Sequence, residues 1–130
     1  MNYGNLIIRI GLGLLFIWGG LEKFFIGYIG GVGLEKMASS LQNIGFGFLG
    51  ETGNYFLAIF LAATELIAGI LIIANRKAAI ANFYAAFIML VALATVYFPT
   101  GNWMQSMIHI ALLSTFLGMG LNSYQLKKLN

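Results

Sequence analysis

The chain has 130 residues, of which 60% are apolar and only 8% charged, with a formal net charge of +3. A soluble domain is about 25% charged, and a short chain needs relatively more polar surface than a long one, so the composition excludes a water-soluble globule and leaves lipid as the solvent. The seven basic residues stand singly or in pairs and form no stripe that could track phosphates, which excludes nucleic acid as a partner; the lack of cysteine excludes dithiol chemistry, thiolate metal ligation and an iron–sulfur cluster within this chain.

In chain order, the first apolar run covers about 5–25 and is interrupted only by Arg9, Glu22 and Lys23. It has the roughly 20 residues needed to cross about 30 Å of hydrocarbon. No small-x-small cleavage site follows Trp18-Gly19-Gly20, so the run reads as a retained span. A glycine-rich loop, 26–54, comes next. Within it Leu34, Met37, Ala38 and Leu41 recur at helical spacing between Glu35, Lys36, Ser39 and Gln42, which predicts a short amphipathic helix, either a surface cover or a lid. Further spans are predicted over 55–74, 78–98 and 103–121. The second and third are separated by the polar turn Asn75-Arg76-Lys77, the third and fourth by Pro99-Thr100-Gly101-Asn102. The predicted fold is therefore all-α and integral to the membrane: one domain over 1–130, a bundle of four transmembrane helices with an amphipathic helix in the first outer loop.

Basic residues set the expected orientation. Arg9, Arg76, Lys77, Lys127 and Lys128 fall on one side, Lys23 and Lys36 on the other, and the richer side is cytoplasmic by the positive-inside rule, which puts both termini inside.

Small residues form stripes at helical spacing. Arg9, Gly13, Phe16, Gly20 and Lys23 share a face of the first helix; Ala58, Ala62, Glu65 and Gly69 of the second; Ala78, Asn82, Ala85, Met89 and Ala92 of the third; Ala111, Ser114 and Gly118 of the fourth. Small residues let helix backbones approach in a bilayer, so Gly13, Gly20, Gly69 and Gly118 are expected at helix contacts.

Glu65 stands out. An acidic residue near the middle of a span costs roughly 2.5–3.5 kcal/mol, so its carboxyl is expected either to be neutral or to pair with a cation from another helix. Arg9 is the first candidate partner, Asn82 lies at a similar depth to Arg9, and His109 lies close in depth to Glu65, so an intramembrane polar cluster of Arg9, Glu65, Asn82 and His109 is expected; His109 projects roughly opposite Ala111, Ser114 and Gly118, so either the fourth helix turns another face to the core or His109 serves an oligomer contact. Such a cluster either clamps helix register or handles protons, a quinone or a head group. Glu22 and Lys23 close the first helix as interfacial anchors, with Lys23 placed to line the outer mouth of the same cavity. A single histidine supplies neither bis-histidine haem ligation nor a His-x-x-x-His pair, so no metal site is expected.

The run from Arg9 through Gly11, Gly13 and Phe16 to Gly20 and Lys23, the stretch Ala62-Ala63-Thr64-Glu65-Leu66-Ile67-Ala68-Gly69 and the basic turn Arg76-Lys77 resemble DoxX-like membrane proteins, in order and spacing, over nearly the whole chain. The resemblance implies a four-helix protein of the bacterial inner membrane, linked to redox systems such as thiosulfate:quinone oxidoreductase, with Arg9, Lys23 and Glu65 matching the family pattern. In the fourth helix many relatives carry an acidic residue near the start, whereas Trp103 here is followed by Met104, Gln105, Ser106 and Met107. The expected role is a membrane subunit or accessory of a quinone-linked oxidoreductase, with quinone or lipid as ligand. Expected partners are membrane lipid and either copies of the chain itself or a larger membrane complex. With no cysteine, flavin motif or haem ligation, electron transfer would need a bound quinone or a partner. The alternatives are a small-solute or proton transport component and a structural assembly subunit.

Overall fold

The computed structural model describes residues 2–130, the Tyr28 side chain apart. No strand occurs among the described residues, and four helical stretches are long and apolar enough to cross a membrane. The chain divides into two compact units, up to Ile73 and from Ala74 onward.

The first unit is built on α1 (Tyr3–Phe24) and α3 (Gly50–Ile73). Asn2 caps α1, its side chain accepting the Asn5 N–H at 3.2 Å. The two helices run antiparallel at backbone contact. A Cβ on Gly13 would stand 2.7 Å from Gly69 O, one on Gly69 2.6 Å from Gly13 O, and one on Gly20 2.7 Å from Ala62 O. Any side chain at these three positions would wedge the helices apart, so glycine sets their separation. Leu12 and Phe16 of α1 and Ala62 and Ile72 of α3 are buried.

α3 starts at Gly50, five residues before the apolar run. Its first turn carries Glu51, whose charge suits a helix N-terminus. It also carries Asn54, fully buried, whose Nδ2 donates to Phe46 O at 3.0 Å and Gly50 O at 2.9 Å and so ties the preceding loop to the helix. Losing both bonds leaves two carbonyls without that partner. Asn54→Leu is expected to cost about 1–3 kcal/mol and to speed hydrogen exchange across 42–50; unchanged exchange there would show that the loop holds without this side chain.

The amphipathic segment is α2 (Leu34–Leu41). It lays Ala38 and Leu41 on Ala58 of α3, flanked by Leu34, Met37, Ile44, Phe46, Leu57 and Leu61, and leaves Glu35, Lys36, Ser39 and Ser40 exposed. An open groove of about 550 Å³ runs between the exposed side of α2 and the first turns of α3, with Glu35 and Glu51 on its walls. The link from α1 to α2 folds back on the end of α1. Val32 and Gly33 donate backbone N–H groups to Glu22 O at 2.9 and 3.2 Å, and the Trp18 indole N–H donates to Ile29 O at 2.9 Å. Ile29 sits at φ 54°, a strained value for a β-branched residue, with its carbonyl held by that indole.

The second unit is a helical hairpin of α4 (Ala78–Ala92) and α5 (Trp103–Leu129). Pro99 has no N–H and its ring would clash with the carbonyl four residues back. The helix accommodates it by widening over Leu93–Tyr97, where the Phe98 N–H donates to Leu93 O at 3.0 Å, five residues away. Asn102 then caps α5, its side chain accepting the Gln105 N–H at 3.2 Å. α5 continues beyond the expected end at 121, through the polar residues, to Leu129. Lys127 and Lys128 lie in its last turn, where cations suit the helix dipole, and Lys128 Nζ lies 4.9 Å from the centre of the Tyr124 ring.

The buried face of α5 differs from the expected one. Ala111, Ser114 and Gly118 are exposed, and a Cβ on Gly118 would meet nothing within 4 Å. Ser106, Phe116 and Gly120 are buried instead, and a Cβ on Gly120 would stand 2.9 Å from the Phe83 ring. A large ring seated on a glycine fixes this contact, and a search for small residues alone overlooks it. Ser114 and Thr115 donate their hydroxyls to Ile110 O and Ala111 O, so both polar groups are satisfied within their own helix.

Candidate functional site

The polar centre of the first unit is an ion pair between Lys23 and Glu65. The antiparallel register that sets Gly13 beside Gly69 and Gly20 beside Ala62 brings Glu65 level with Gly19. Lys23, one turn further along α1, sends its side chain back along the helix. Its Nζ donates to Glu65 Oε2 at 2.8 Å and to Gly19 O at 2.9 Å, and Glu22 Oε1 is 3.7 Å away. Lys23 is 9% exposed and Glu65 7%. Charges this deeply buried need both a partner and further hydrogen bonds, and here Lys23 has one of each.

Lys23 therefore takes the place expected of Arg9. Arg9 lies ten residues before Gly19 on α1, about 15 Å along the axis at 1.5 Å per residue, beyond the reach of its side chain. Among the described residues no ion pair involves Arg9. Its Nε and, one turn earlier, Asn5 Oδ1 are buried without a hydrogen-bond partner.

Asn82 and His109 belong to the second unit and have partners of their own. Asn82, 1% exposed, donates Nδ2 to Ala78 O at 2.8 Å, while its Oδ1 is buried and unpaired. His109 lies with Nδ1 2.8 Å from Gln105 O and its ring 4.2 Å from that of Tyr97. The pairings of Phe83 with Gly120 and of Tyr97 with His109 put Asn82 and His109 near opposite ends of the hairpin. Within the first unit Glu65 thus pairs with Lys23 rather than with Arg9, which lies well along α1 from it, and within the second unit Asn82 and His109 lie apart from each other.

Gly19, beside the pair, and Asn54, near the start of α3, are not singled out by the sequence. Gly19 has no side chain beside the pair, and a Cβ there would stand 3.1 Å from Glu65 Oε2. Asn54 continues the stripe Ala58, Ala62, Glu65 and Gly69 back by four residues, a spacing that could have revealed it.

Comparison with curated proteins and with solved structures gives no match. The family model described as DoxX matches residues 4–98, which takes in α1, α2, α3 and α4 with Arg9, Lys23, Glu65 and Asn82, and ends before α5 and His109. Matched over most of its length and built from helices able to cross a bilayer, the chain belongs to the DoxX family of membrane proteins.

Proposed function

We propose that this DoxX-family chain is a membrane subunit or accessory of a quinone-linked oxidoreductase system in a bacterial inner membrane, with both termini cytoplasmic. The observation that supports this reading is the Lys23–Glu65 pair, a cation and a carboxylate held together inside an apolar helix pair. Ionisable groups are rare inside spans and mark sites that move protons or hold polar ligands. The chain has no thiol, so electrons come from a bound quinone or from a partner, and its part is to hold the ligand and supply or accept protons. The orientation follows from the excess of Lys and Arg at Arg9, Arg76, Lys77, Lys127 and Lys128.

The same geometry favours a second reading, in which the pair is a clamp that fixes the register of α1 on α3. Glu65→Gln separates the two. A working site predicts that the variant accumulates folded at near wild-type level while quinone-dependent activity of the host membrane falls at least tenfold. A clamp predicts that protein level and melting temperature fall, with the remaining protein fully active.

A further inference from the structure

Lys23 Nζ has three N–H groups, and two are used, on Glu65 Oε2 and on Gly19 O. Glu22 Oε1, at 3.7 Å, is beyond hydrogen-bond distance of the third. Glu65 Oε1 accepts no hydrogen bond among the described residues. Each member of the pair thus keeps hydrogen-bonding capacity in reserve, although both are more than nine-tenths buried.

Beside this reserve stands Gly19, which has no side chain to cover the pair. Trp18 beside it is 39% exposed, and Gly19 itself is half-buried. A Cβ on Gly19 would stand 3.1 Å from Glu65 Oε2 and 3.9 Å from Lys23 Nζ, so the space an ordinary side chain would fill is the space next to the pair. At the end of α1 the returning link, held by the Glu22 carbonyl and the Trp18 indole, lies over the helix terminus. We infer that the gap at Gly19 is a lateral binding site in which a carbonyl oxygen of an amphiphile dissolved in the bilayer accepts the remaining N–H of Lys23.

Two kinds of bilayer molecule carry such an oxygen above an apolar tail: a quinone ring and the acyl ester of a lipid. The quinone source rests on the function proposed above; the site itself does not.

The test uses the full chain with Trp103→Phe, which leaves Trp18 as the sole tryptophan beside the gap. The parent is compared with Gly19→Ala and with Gly11→Ala, a control position on the same helix where a Cβ meets nothing within 4 Å. Alanine is the better helix former, and at residue 19 it meets only side-chain atoms, so both variants should fold. Ubiquinone-1 is titrated into phosphatidylcholine nanodiscs while Trp18 fluorescence is followed, and native mass spectrometry counts phospholipid retained in detergent.

Saturable quenching in the parent and in Gly11→Ala, at least tenfold weaker in Gly19→Ala, supports the site with quinone as its ligand. Unsaturable quenching throughout, with phospholipid retained by the parent and Gly11→Ala but lost from Gly19→Ala, supports the site with lipid as its ligand and counts against the quinone reading. Quinone binding and lipid retention in Gly19→Ala equal to those of Gly11→Ala overturn the site, and leave the proposed function standing if an oxidoreductase still co-purifies. A parent that neither binds quinone saturably nor retains lipid overturns it as well.

Discussion

Glu65→Leu, which unlike Glu65→Gln keeps no side-chain oxygen to accept from Lys23, is expected to lose about 3–5 kcal/mol of stability, because it strands the Lys23 ammonium in a buried position with only the Gly19 carbonyl within hydrogen-bond distance. Lys23→Met is expected to cost a similar amount by stranding the carboxylate. The double variant Lys23→Met/Glu65→Leu should recover most of the loss, since replacing a buried pair by apolar residues of similar size is often neutral. Reversible unfolding in mixed micelles gives the three values. If the losses of the single variants simply add in the double variant, the two side chains are not coupled and the pair does not hold α1 to α3.

The second large effect distinguishes two glycines of opposite surroundings. Gly69→Ala puts a methyl 2.6 Å from Gly13 O and 2.8 Å from Ile17 N, both backbone atoms that can move only if the helices part. Overpacking of this kind costs about 1–3 kcal/mol. Gly118→Ala meets nothing within 4 Å, so what remains is the gain of about 1 kcal/mol from the better helix former. Thermal unfolding should therefore move down for the first variant and up for the second. Equal shifts in one direction would mean that α1 and α3 do not meet at Gly13 and Gly69.

What the sequence discloses here follows from what a single chain encodes locally. Four apolar runs, each as long as a bilayer is thick, reveal four helices, and the spacing of Leu34, Met37, Ala38 and Leu41 reveals α2. Burial of a carboxylate in such a run is costly enough to mark Glu65 without any structure. Its partner is harder to read, because it depends on the register of two helices whose contact is set by glycines 13, 20 and 69. That register places Glu65 level with Gly19, four residues from Lys23, and shows that a lysine placed at the end of a span by its sequence position reaches inward along the helix. Depth judged from run boundaries favoured Arg9 because it ignored this offset. The α5 face was misjudged for a related reason: a rule that looks for small residues on both sides of a contact misses one where Phe83 fits against Gly120.

The proposed role is tested most directly by mass spectrometry of what co-purifies with the chain extracted in its native lipid, for the wild type and for Glu65→Gln. Quinone or a stable oxidoreductase subunit is expected with the wild type and lost from Glu65→Gln at equal protein yield. Bulk lipid and copies of the chain alone, the same for both proteins, would contradict it.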